Sequence, residues 1–208
     1  MPTGKLNGKS LRKAALVIGL AVFMEACLVP SLESNWHFGV PENSVVSYMS
    51  GVLRENRTGL GSLEEKKLAQ VILAESNRHG MDPLFVFALI KTESTFYNWS
   101  RSFTGALGLM QIRLETGEEL ANQLKLEWNG AGTLLDPYLN VKMGVHYLSR
   151  LNKRYNDPEI SLAAYNVGPG RLDSTIRENK LVGRNYVNKV LNNYKDLKER
   201  ADYYSYGG

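Results

Sequence analysis

Three Asp-Pro dipeptides, Asp82-Pro83, Asp136-Pro137 and Asp157-Pro158, each stand directly ahead of a segment whose apolar residues recur at helical spacing. An aspartate at the N-cap accepts from amides of the first turn, and a proline at the first helical position lacks an amide that would have no helical partner anyway. This start signal commits the middle of the chain to helices. Behind Asp136-Pro137, the residues Val141, Val145, Leu148, Leu151 and Tyr155 form one stripe. Behind Asp82-Pro83, the run Leu84 to Ile90 is apolar on nearly every side, as befits a helix in the middle of a domain. The third helix ends at the turn Gly168-Pro169-Gly170. Ser62 and Glu65 have the spacing of a capping box ahead of Leu68, Val71 and Ile72, with His79-Gly80 as the stop. A final helix is expected from about Asn185 to Arg200, with Tyr186, Val190, Leu191, Tyr194 and Leu197 on one side. No long alternating strand and no internal repeat occurs, and only the stretch from Gly105 to Ile112 suits a small β element. The expected fold class is all-α, mainly helical with minimal strand, in a single globular domain over residues 62–200, with 201–208 as a tail.

The start of the chain reads differently. Lys5, Lys9, Arg12 and Lys13 precede an apolar run, Ala14 to Met24, that is too short for a relaxed membrane span and suits the core of a secretory signal. Cys27, the only cysteine, follows directly, so no disulfide can form within the chain. Two readings stand. Either residues 1–27 are a lipoprotein signal, with Cys27 lipidated and the protein attached to a membrane, or the segment is an uncleaved anchor or a signal cut nearby and Cys27 is incidental. Glu25 departs from the small residues that usually precede a lipidated cysteine. Export is expected in both cases, to the periplasm or to the outer membrane. Residues 28–61, punctuated by Pro30, Pro41, Gly51, Gly59 and Gly61, are expected to be an extension or tether with one short helix around Ser44 to Arg54. The formal net charge of +4 suits a polyanionic partner such as nucleic acid, an anionic membrane or an acidic cell wall. Basic residues form no run after residue 13 and no nucleic-acid-binding motif is present, so a nucleic-acid partner is not expected.

Glu93 is the informative acid. It follows Leu89 and Ile90 by four and three positions, hence shares their helix face. A carboxyl flanked by apolar groups at the end of a buried helix is desolvated, which raises its pKa and keeps it protonated for donation to a glycosidic oxygen. Spacing alone fits equally a helix-end glutamate that points to solvent. Two further segments tip the balance. In Gly105-Ala106-Leu107-Gly108-Leu109-Met110-Gln111-Ile112, two glycines three apart allow close backbone approach or unusual dihedrals, and Gln111 is polar among apolar neighbours. In Ala163-Ala164-Tyr165-Asn166-Val167-Gly168-Pro169-Gly170, two small residues permit tight helix packing, then Tyr and Asn precede a sharp turn.

Taken in order, Glu93-Ser94, Ser102, Gly108-Leu109-Met110-Gln111 and Ala164-Tyr165-Asn166-x-Gly168-x-Gly170 make the chain resemble the soluble lytic transglycosylase family, whose catalytic domain is goose-lysozyme-like; Arg184-Asn185-Tyr186-Val187 resembles the family's closing helix. The likeness covers roughly residues 68 to 195. It implies a lysozyme-like domain that cleaves peptidoglycan glycan strands between N-acetylmuramic acid and N-acetylglucosamine, leaving a 1,6-anhydro end. Glu93 would protonate the leaving O4 and then accept the proton of the sugar's own 6-hydroxyl. Tyr165 would hydrogen-bond near that carboxyl and orient it. Ser102 and Gln111 would face the N-acetylated sugar, Met110 and Asn166 would shape the cleft, and Tyr186 joins this binding set. Two positions depart from the family pattern: Leu114 stands where proline is common, and Gly117 where alanine is usual after Thr116.

Retaining and inverting glycosidases place a second carboxylate across the scissile bond. Asp82, Asp136 and Asp157 are already explained as caps, and Glu115, Glu118 and Glu119 belong to a helix expected to be exposed. The count lends weak support to one acid assisted by the substrate's acetamido group, a mechanism that the family resemblance implies more strongly. His37, His79 and His146 show no ligand spacing, so no metal and no cofactor are expected. A monomer is expected. Two other readings share these motifs: a hydrolytic lysozyme on the same scaffold, and a non-catalytic wall-binding module.

Overall fold

The structure, a computed structural model, describes residues 42–177 and 183–206. Among these, helices α1 (Glu42–Glu55), α2 (Ser62–Arg78) and α3 (Pro83–Ser94) precede strands β1 (Ala106–Leu107) and β2 (Ile112–Arg113). Then follow α4 (Leu114–Leu124), α5 (Ala131–Leu135), α6 (Pro137–Tyr155), α7 (Pro158–Val167), α8 (Pro169–Arg177) and α9 (Arg184–Tyr206). The strands form one antiparallel pair, with Ala106 opposite Arg113 and Leu107 opposite Ile112. The mainly helical class and the small β element are as the sequence suggests.

All three Asp-Pro starts form as expected. Asp82 Oδ1 accepts from the Leu84 amide at 2.8 Å, Asp136 Oδ1 from Tyr138 and Leu139 at 2.9 Å each, and Asp157 Oδ1 from Ile160 at 2.9 Å. Helix α3 is the central one: Val86, Phe87, Ala88, Leu89 and Ile90 are fully buried. Helix α9 lies along it and is tied to it by side chains throughout. The Tyr194 hydroxyl donates to Asp82 Oδ2, Asn193 Nδ2 to Thr92 Oγ1 at 2.9 Å, and Lys91 Nζ meets Asp196 Oδ2 at 3.2 Å. The Tyr194 ring also packs edge-on against Phe85.

Three boundaries differ from the sequence-based expectation. The short helix near Ser44 is present, but it is no tether. Val45, Tyr48, Met49 and Leu53 of α1 are buried in the common core, because they recur on one face and meet α2 and α9. The expected capping box at Ser62 and Glu65 does not form. The helix starts one residue earlier, with Glu64 Oε2 accepting from the Gly61 amide at 2.8 Å, while Glu65 is buried and accepts from the Thr58 hydroxyl at 2.6 Å. Nor does the domain end at residue 200: α9 continues to Tyr206 and buries Ala201. Residues 1–41, including the signal, the first part of the extension and Cys27, lie outside the described residues. Among those described, no helix is long and apolar enough to cross a membrane.

Both departures from the family pattern have a local account. Leu114 is the first residue of α4, a position that favours proline without requiring it. Gly117 lies beneath Trp128, whose ring would sit 2.8 Å from a Cβ at that position.

Candidate active site

Helix α3 delivers Glu93 at the end of a stem that is apolar from Pro83 to Ile90, and the chain then turns through two left-handed residues, Thr95 (φ 50°) and Phe96 (φ 66°). For non-glycine residues such conformations are uncommon and persist only where surrounding structure enforces them. Here Phe96 is locked by stacking on Phe87, with ring centroids 4.5 Å apart, and the Asn98 side chain donates to the Leu135 carbonyl at 3.0 Å. The sharp exit leaves Glu93 half-buried in a cleft of about 580 Å³. Burial pushes its carboxyl from 4.5 up to about 7, against the opposing pull of the Tyr186 hydroxyl and the Lys189 ammonium. It is the only carboxylate lining the cleft among the described residues.

The second wall starts at the β1–β2 turn. Gly108 has φ +79° and lies so close to Asn140 and the Leu134 carbonyl that a Cβ would come within 2.4 Å of each. Only glycine meets both demands. Asn140, fully buried on α6, holds this turn with three hydrogen bonds: Oδ1 accepts from the Met110 amide at 2.7 Å, and Nδ2 donates to the Leu107 and Leu134 carbonyls at 3.0 and 2.8 Å. Gln111, itself left-handed at φ 49°, uses Nε2 to donate to the Gly108 and Ser100 carbonyls at 2.9 and 3.2 Å. Those bonds hold its amide plane and do not use Oε1. Ser102 Oγ accepts from the Ala106 amide at 2.9 Å and pairs with the Thr104 hydroxyl at 3.1 Å.

Of the residues singled out from the sequence, Glu93, Ser102, Gln111, Tyr165 and Asn166 line this one cleft. Two tyrosines differ from expectation. The hydroxyl that donates to Glu93 Oε1 belongs to Tyr186, on the first turn of α9. Tyr165 instead donates to the Met110 carbonyl at 2.8 Å. Both phenols are held well above their ordinary pKa, first by burial and then by the negative charge of Glu93, so both remain donors. Met110 also differs, because its side chain is fully buried and does not face the cleft. It fills the space above Gly144, where a Cβ would lie 2.4 Å from its sulfur, and it shapes the cleft through its backbone alone. Thr104, Arg113, Thr116, Tyr147 and Arg171 line the cleft as well and were not singled out. Nearness in sequence to Gln111 and Gly170 was the only signal for the two arginines. The histidines His79 and His146, unrelated by spacing, meet in space with ring centroids 5.6 Å apart, yet no cluster able to hold a metal occurs among the described residues.

The same segments match known proteins. Residues 70–199 match the model of the transglycosylase SLT domain. The chain is 32% identical over 131 residues to membrane-bound lytic murein transglycosylase F of Desulfosudis oleivorans, covering 60% of this chain and 26% of that protein. It is 29% identical over 134 residues to membrane-bound lytic murein transglycosylase C of Shigella sonnei, covering 60% and 37%. Among solved structures, an inactive mutant of the lytic transglycosylase Slt of Pseudomonas aeruginosa superposes with a TM-score of 0.57 at 25% identity, over 64% of this chain and 24% of that one. The 70 kDa soluble lytic transglycosylase of Escherichia coli shares the fold, with a TM-score of 0.55 at 23% identity over 79% and 30%. The chain thus spans a quarter to under two-fifths of the lengths of these relatives. With the matched model covering α3, the β turn, α7 and most of α9, the chain belongs to the transglycosylase SLT domain family.

Proposed function

We propose that this chain cleaves the glycan of peptidoglycan at the bond between N-acetylmuramic acid and N-acetylglucosamine, as a lytic transglycosylase. The observation that carries the reading is a cleft carboxyl, Glu93, alone among the described lining residues, whose pKa is raised to about 7 by burial and whose Oε1 is held by Tyr186. Such a group is protonated often enough near neutral pH to act as an acid and is basic enough, once ionised, to take a proton back. Glu93 protonates the glycosidic oxygen as the C1–O4 bond breaks, while the substrate's acetamido oxygen stabilises the positive charge that develops at C1. The 6-hydroxyl oxygen then bonds to C1 and releases its proton to Glu93, which closes the 1,6-anhydro ring and restores the acid. Gln111, Ser102 and Asn166 contact the N-acetylated sugars, and Tyr165 holds the turn that carries Gln111. Among the described residues no second carboxylate lines the cleft, which supports substrate assistance over a two-carboxylate route.

The relatives named membrane-bound support a place in the cell envelope, with the basic and apolar start of the chain as the export signal and Cys27 as the candidate lipid attachment point. The enzymatic reading is tested with purified sacculi. Glu93→Gln preserves size and removes the transferable proton, so turnover falls by about 10²-fold or more. Mass spectrometry of the wild-type products finds muramyl ends that are non-reducing and lighter by one water than hydrolysed ones. Reducing ends carrying oxygen from labelled water would assign a hydrolytic lysozyme instead, and no release at all would leave a wall-binding module.

A further inference from the structure

Among the described residues, the charged groups lining the cleft are Glu93, Arg113 and Arg171. An uncharged sugar chain is recognised by neutral donors and acceptors, which Ser102, Thr104, Gln111, Thr116 and Asn166 already supply. Arginine adds a planar fork of donors suited to carboxylates. Neither arginine is committed elsewhere. Arg113, on β2, meets Glu115 at 3.8 Å with side chains 61% and 80% exposed, a pairing that contributes little and exchanges readily. Arg171, exposed on the first turn of α8, has no ion-pair partner among the described residues. The acid nearest to it on that helix, Asp173, is taken on both oxygens, by Arg154 at 2.5 Å and by the Tyr155 hydroxyl at 2.8 Å. Among the described residues, two cations from different elements therefore border a cleft lined by one acid.

Resting on the glycan-cleaving function above, we propose that Arg113 and Arg171 bind free carboxylates of the peptide stems carried by the glycan, so that the cleft prefers strands bearing acidic peptides. The probe is one batch of sacculi divided in two, one half left native and the other treated with carbodiimide and ammonia, which converts stem carboxylates to amides of nearly the same size. Wild-type kcat/KM falls about fivefold or more on amidation, chiefly through KM, as expected for exposed charge pairs acting together. The double variant R113Q/R171Q shows that loss on native sacculi and does not respond to amidation. A charge-matched control, R54Q/R57Q, changes two exposed arginines outside the cleft and keeps the wild-type response. Thermal unfolding shows that all variants fold. The proposal is overturned if amidation leaves the wild type unchanged, or slows the double variant as much as the wild type. Should no glycan be cleaved, the function fails but the arginines are still judged. Co-sedimentation of the full chain carrying Glu93→Gln with native and amidated sacculi must then show the same preference, and must lose it when R113Q/R171Q is added.

Discussion

At Glu93 burial and hydrogen bonding pull in opposite directions, and burial prevails, taking the carboxyl to about 7. Between its ordinary value of 4.5 and about 7, the folded chain holds a proton that the unfolded chain has released. The linkage sign follows: this contribution to stability is complete below 4.5, declines as pH rises toward 7 and is level beyond. A shift of one unit corresponds to about 1.4 kcal/mol. Glu93→Gln is neutral throughout, so its stability relative to wild type should grow by roughly 2–3 kcal/mol between pH 4 and pH 8, read by thermal unfolding at both. An offset that does not change with pH would show a solvated carboxyl. Activity should decline on the alkaline side near pH 7, where the acid form is lost. Tyr186 lowers the Glu93 pKa by donating to it, so Tyr186→Phe should move that limb to higher pH as well as slow turnover. Tyr165→Phe loses only the bond to the Met110 carbonyl and should slow turnover with the limb in place. Identical displacement of both pH profiles would contradict this division of labour.

Among the elements, the Asp-Pro helix starts were legible, the Ser62 start was misplaced by one residue, and contacts between distant partners were not legible. An Asp-Pro start needs only its own first turn, and each of the three formed where the sequence placed it. Glycines at 105 and 108 announced an unusual backbone, and both have positive φ. The sequence did not show what holds the turn between them and Gln111. Asn140 lies beside Val141 on a helix expected to be amphipathic, and its partners Met110 and Leu107 are 30 and 33 residues away. For the same reason Tyr186 was placed on a helix face but not against Glu93, 93 residues earlier. Asn140→Ala should leave one buried amide and two buried carbonyls without their partner, and an unsatisfied buried group costs about 1–3 kcal/mol. A destabilisation of about 3 kcal/mol or more is expected in urea unfolding, together with loss of turnover through the displaced Gln111. A change below about 1 kcal/mol would mean that the turn holds itself.

For the molecule as a whole, the question is where the folding unit begins. Hydrophobic periodicity sets the start at Ser62, because residues 28–61 are broken by proline and glycine and show no sustained stripe. The structure carries the core back to α1, whose Val45, Tyr48, Met49 and Leu53 are buried with Leu68 and Ile72 of α2 and Val190, Leu197 and Ala201 of α9. Helix α1 is only 14 residues long, so four buried positions were too few to stand out as a period beside Gly51 and Pro41. Full burial of such a side chain contributes about 1.5–3 kcal/mol, so these four together account for roughly 6–12 kcal/mol. That is comparable to the entire stability of an ordinary domain, about 5–15 kcal/mol. A fragment of residues 62–208 would also expose the faces of α2 and α9 that α1 covers. Two fragments should therefore behave differently. Residues 42–208 should unfold cooperatively and retain activity on sacculi, while residues 62–208 should lack a cooperative thermal transition and precipitate or bind a hydrophobic dye. If the shorter fragment melts cooperatively within a few degrees of the longer one, α1 is an accessory helix and the unit begins at α2.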